Sequence, residues 1–167
     1  KIIYTWRENT LDATWFALKL YHALYNYDLS DDQKKKLASS LEKARNTASV
    51  LITRCIYNNI FTTSPNNKHV SLHTIHSAIG VLMALSTPAN EPCRWNIPYG
   101  EERLTTTLGN IIGDMDQAAK IIDNNLAYVS KCKIEPPLHP KTNGTPSSRK
   151  CGFADTIDNR VPSITAT

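Results

Sequence analysis

No apolar run in this sequence approaches the ~20 residues a helix needs to cross a bilayer, which excludes a membrane-spanning helix. There is no CxxC pair, so neither a zinc knuckle nor a dithiol redox motif is spelled out. GxGxxG, the P-loop, GxSxG and HExxH are all missing, so phosphate-cradling loops, nucleophile elbows and zincin chemistry have no local motif. The acid pair Asp114/Asp116 stands at i, i+2 and faces two sides of a helix, where it does not converge. No internal repeat is visible. A net charge of +4 is too mild to mark a nucleic-acid binder. These absences together read as a non-enzyme without a cofactor.

What is present is a globular composition: 41% apolar and 20% charged residues over 167 positions suffice for one domain with a core. Its organising stretch runs from Ser30 to Phe61. Ser30-Asp31-Asp32-Gln33 spells a capping box, with both acids where the helix dipole is positive. Leu37, Leu41, Ala44, Ala48, Leu51 and Cys55 then recur at alternating spacings of four and three, and Ile52, Ile56 and Ile60 widen the seam. Lys34, Lys35, Lys36, Glu42, Lys43 and Arg45 occupy the other face. The spacing predicts one long amphipathic helix.

Before it, Asn9 or Thr10 caps a helix running to about Tyr25. Leu11, Trp15, Leu18 and Tyr25 form one stripe, and Phe16, Leu20 and Leu24 another, so this helix is expected to be the most buried. In a carrier, Trp15, Phe16, Tyr21 and Tyr25 would line a cavity for a small apolar ligand. Thr62-Thr63-Ser64-Pro65-Asn66-Asn67 breaks the chain. A third helix is predicted from about Lys68 to Leu85, and a proline-stiffened loop follows over 87–99. A fourth periodic segment runs from Glu101 to Cys132, with Gly109 and Gly113 inside it. After Ile134, prolines and serines replace the periodicity. The expected division is a helical domain over 1–134 and a tail over 135–167 tethered by Cys151.

The fold class expected is all-α, an up-down-up-down four-helix bundle with two disulfides and an extended C-terminal tail. Short links make the second and fourth helices point the same way, which brings Cys55 and Cys132 to one end. A straight helix from Glu101 to Cys132 would span roughly 45 Å, and that separates Cys93 from both. The expected pairs are therefore Cys55–Cys132 and Cys93–Cys151, on the condition that the fourth helix is unbroken at Gly109 and Gly113.

Four widely spaced cysteines suit an oxidising compartment, and Asn143-Gly144-Thr145 is a glycosylation sequon. A start at Lys1 with no charged-then-apolar leader fits a chain whose signal peptide has been cut, or one that has been trimmed. A secreted glycoprotein is the expectation. His69, His73 and His76, at spacings of four and three, are the one concentrated set of metal-ligand candidates. Lys34–Lys36 and the group Lys131, Lys133, Lys141, Arg149 and Lys150 are locally positive, and the second group offers a contact for an anionic polysaccharide. The functional expectation is a secreted, non-enzymatic protein that binds another macromolecule, with an extracellular carrier of a small apolar ligand as the alternative.

Overall fold

The computed structural model describes residues 10–25, 27–88, 100–134, 152–157 and 162–165. Its elements are α1 (Leu11–Tyr25), α2 (Asp31–Arg54), β1 (Ile56–Tyr57), β2 (Ile60–Phe61), α3 (Leu72–Ser86), α4 (Glu101–Ile112), α5 (Met115–Cys132), β3 (Lys133–Ile134), β4 (Gly152–Ala154) and β5 (Pro162–Thr165). The described chain is mostly helical with little strand, as the periodicity predicts. It has five helices where four were expected.

Each early helix starts where a side chain takes up an orphan amide. Thr10 Oγ1 accepts from the Ala13 N–H at 3.2 Å. At α2 the capping box closes both ways: Ser30 Oγ accepts from the Gln33 N–H at 3.4 Å, and the Ser30 N–H donates to Gln33 Oε1 at 2.9 Å.

The long second helix ends earlier than its apolar spacing implies. Asn58 and Asn59 both take left-handed φ, at 49° and 61°, and form the two-residue turn of the β1–β2 hairpin. Asparagine tolerates that conformation better than most residues, so the chain reverses where Ile52, Ile56 and Ile60 alone suggested another turn of helix. The hairpin is locked to α5, since the Phe61 N–H donates to Asn125 Oδ1 at 3.2 Å.

The expected fourth helix is two helices. Gly113 adopts φ 77° and closes α4 through its N–H to the Gly109 carbonyl, at 2.8 Å. Asp114 then caps α5, its Oδ1 accepting from the Gln117 N–H at 2.9 Å. The two helices fold back against each other across this turn. The 45 Å rod on which the cysteine pairing rested therefore does not exist. Cys55 and Cys132 are both buried, and no disulfide joins them or any other described residues. The Cys55 carbonyl accepts from the Thr62 N–H at 2.7 Å. Cys93 and Cys151, the other expected pair, lie outside the described residues, as does Asn143.

The centre of the fold is α3, not α1. It packs against α1, α2 and α4, and within it only His73 and His76 are exposed. Small residues permit this: Ser77, Ala78, Gly80 and Ala84 are all buried, so neighbouring helices approach closely. A Cβ on Gly80 would stand 2.6 Å from the Trp15 indole, so only glycine admits that ring. No basic residue lies in the last turn of α3. Its orphan carbonyls are met by arginines from neighbouring helices. Arg45 of α2 donates to the Ala84 and Leu85 carbonyls at 2.6 and 2.7 Å and also to that of Thr87. Arg103 of α4 donates to the Ser86 carbonyl at 3.1 Å.

The C-terminal stretch is not simply an extended tail. Strands β3, β4 and β5 form an antiparallel sheet. Asp155 then reaches the N-terminus of α3: its carbonyl accepts from the Leu72 N–H at 2.8 Å, and its Oδ1 from the His73 N–H at 3.3 Å.

Candidate functional site

Helix α1 carries apolar residues on two faces. The inner face inserts Leu11 and Leu18 fully into the core, with Trp15 and Tyr21 packed partly against it. Trp15 lies against Gly80 of α3. The Leu11 N–H donates to the Thr63 carbonyl at 3.1 Å, which fixes where the helix begins. The second stripe, Phe16, Leu20 and Leu24, therefore points away from the bundle.

Phe16 is 69% exposed, Leu20 53%, Leu24 38%, and Tyr27, one turn on, 66%. Ala13, Ala17 and Ala23 are exposed between them. These seven positions follow the three-four spacing of a helix seam, and no charged residue interrupts them. Tyr27 extends the stripe past the helix end, because its N–H still donates to the Leu24 carbonyl at 3.1 Å. Water gains nothing from such a face. Covering one large apolar side chain is worth about 1.5–3 kcal/mol, and contiguous apolar patches mark interaction sites. Both stripes were legible in the sequence, whereas the outward direction of the second was not.

The edge where α1 meets α3 is polar. Asp12 Oδ2 stands 3.4 Å from His73 Nε2, Trp15 meets His76 edge-on at 6.3 Å and 83°, and Lys19 Nζ sits 5.7 Å from the Trp15 ring centre. Two of the three candidate metal ligands thus serve as contacts between helices. The third is not on the helix: α3 begins at Leu72, and His69 belongs to the preceding connection, where its carbonyl accepts from the Thr63 N–H at 3.0 Å. Among the described residues no three His, Cys, Asp or Glu side chains are grouped to hold a metal ion.

Just before the start of α3, Tyr128 donates its hydroxyl hydrogen to the Val70 carbonyl at 3.1 Å. Burial pushes the Cys132 thiol up from its ordinary value; the Tyr128 hydrogen bond opposes this, and the Asp155 charge adds to it. Burial likewise raises Tyr128. Cys132 is in consequence a protonated thiol at neutral pH and a poor nucleophile.

Three clefts bear on the carrier expectation. One of about 190 Å3, lined by Phe61, Ile79, Leu104, Ile122, Leu126, Asn125 and Glu101, is mainly apolar. A polar one of about 350 Å3 lies beside Arg45, Ser86 and Asn110. The third, of about 670 Å3, lies along α2 and includes Asn46, Arg54 and Pro65. Trp15, Phe16 and Tyr21 line none of the three. The Tyr25 side chain is outside the described residues. Lys34, Lys35 and Lys36 are exposed, and so are Lys131 and Lys133. Lys141, Arg149 and Lys150 fall outside the described residues. No helix of the described residues is long and apolar enough to cross a membrane.

No protein-family model matches the chain, and no curated protein or solved structure gives a significant match.

Proposed function

We propose that this chain is a secreted, non-enzymatic binding protein that engages another protein through the outward face of α1. The observation that carries this reading is the uninterrupted exposed stripe of Phe16, Leu20, Leu24 and Tyr27 on a helix whose opposite face is anchored in the core. Rigid support keeps the ordering cost of docking low. Secretion and glycosylation rest on the four scattered cysteines and the Asn143 sequon. The alternative is a carrier of a small apolar ligand; Trp15, Phe16 and Tyr21 line none of the three clefts described above.

The test compares the native chain with a Phe16→Ser/Leu20→Glu variant. Both positions are exposed, so the variant keeps its unfolding free energy within about the ±0.5 kcal/mol typical of surface changes. Each protein is immobilised and exposed to the same extracellular fluid, and a candidate partner is then titrated by calorimetry. The reading predicts a partner that binds the native chain and loses at least tenfold in affinity for the variant. Equal affinity for the two proteins contradicts it.

A further inference from the structure

We propose that the groove between the second half of α2 and the 64–67 turn binds an extended peptide segment bearing a carboxylate. This groove, about 670 Å3, is lined by Asn46, Thr47, Val50, Leu51 and Arg54 on one side and by Pro65 and Asn66 on the other. The α2 residues stand at i, i+1, i+4, i+5 and i+8, one continuous strip of helix surface about 12 Å long at 1.5 Å per residue. The volume falls within the range of ligand-binding clefts.

The chemistry of the strip is one-sided. Among the described residues that line it, Arg54 is the only charged one, and no described carboxylate accompanies it. Neither the Arg54 guanidinium nor the Asn46 amide is hydrogen-bonded or ion-paired to any described residue. Arg54 also lies in the last turn of α2, where its charge favours the helix dipole. That role accounts for the arginine alone and leaves the amide at the far end of the groove unexplained. A side-chain amide offers both a donor and an acceptor, the complement of a peptide backbone. A guanidinium fork matches a carboxylate. Between them, Val50 is 53% exposed and faces space bounded by Pro65, room for one apolar side chain.

The opposite wall is already fixed. The Ser64 N–H donates to the Asn67 carbonyl at 3.3 Å, the Asn67 N–H to Ser64 Oγ at 3.1 Å, and the His69 N–H to Asn67 Oδ1 at 3.1 Å. Thr62 Oγ1 donates to the Ser64 carbonyl at 3.3 Å from within the core. A pre-formed wall spares a ligand the entropy of ordering it. The groove shares no residue with the α1 face.

The experiment is a titration of the ¹⁵N-labelled full chain, followed by amide shifts, with the peptide acetyl-Val-Leu-Gly-Glu. Its glutamine analogue and sodium acetate are run in parallel. The expected result is saturable shifts at Val50, Leu51, Arg54 and Asn66, with the glutamine peptide about fivefold weaker, the upper end for an exposed ion pair. Arg54→Gln gives the same fivefold loss for the acidic peptide and none for its analogue, while Leu20→Glu changes neither titration. Equal binding of the two peptides, insensitivity to Arg54→Gln, or shifts confined to other residues overturns the proposal. Identical shifts with acetate alone at the same concentration also overturn it, in favour of free-anion binding.

Discussion

Helices α1 and α3 have the same length, 15 residues, and both are apolar around most of their circumference, yet one is sunk on nearly every side and the other is half bare. The difference lies in side-chain size. α3 presents Ser77, Ala78, Gly80 and Ala84 to its neighbours, which lets three helices close around it. α1 instead carries large side chains: Trp15 and Tyr21 pack partly against the core, while Phe16 stands in solvent. A second factor is the end of each helix. A central helix must have its terminal carbonyls satisfied away from water, and Arg45 does this for α3. Apolar content alone therefore does not rank helices by burial. Small residues and an imported cation mark the central one.

The largest expected effect breaks the comparison directly. Leu82→Ala in α3 removes a fully buried side chain and costs about 2–5 kcal/mol. Leu20→Ala in α1 stays within about 0.5 kcal/mol, because that side chain is already in water. Urea melts of the two variants decide it, and similar losses would mean that α1 is also covered on its outer side. Arg45→Ala strands the carbonyls at the end of α3 and costs about 2–3 kcal/mol, with no rescue by Lys, which cannot span three acceptors. Gly80→Ala drives a methyl into the Trp15 indole and costs about 1–3 kcal/mol, accompanied by a change in tryptophan emission. The smallest effect is alkaline. Cys132 and Tyr128 are both raised above their ordinary values of 9.0 and 10.0 in the folded chain. Their neutral forms contribute stability that is intact below those values and lost as pH rises through the raised ones. The thermal midpoint should therefore fall above about pH 9 and fall less steeply in Cys132→Ala. A native profile no steeper than the variant's would show that these groups are not coupled to folding.

Caps and stripes were legible in the sequence because they are local: Ser30 and Gln33 determine their own geometry, and Thr10 starts α1 as its position suggests. Reversals were hidden wherever helical spacing continued across them. Asn58-Asn59 and Gly113-Asp114 both interrupt an apolar rhythm that survives on either side. The second of these misled further, since one unbroken rod was the premise for joining Cys55 to Cys132. Asp114 and Gln117 carried a capping signal that would have revealed the break. Contacts made at long range had no local sign at all. Nothing near Arg45 says that it crosses to the end of α3, and nothing near Asp155 says that it returns to the start. Within the candidate site, the stripe was visible and its direction depended on which helix became central.

The outward role of α1 is most directly tested by placing a benzophenone photo-crosslinker at position 20 and, as a control, at position 126 on α5, where the native leucine is 42% exposed. Irradiated in the extracellular fluid, the chain labelled at Leu20 is predicted to give a discrete adduct that the Leu126 label does not give. No adduct from position 20, or the same adducts from both positions, would contradict the account.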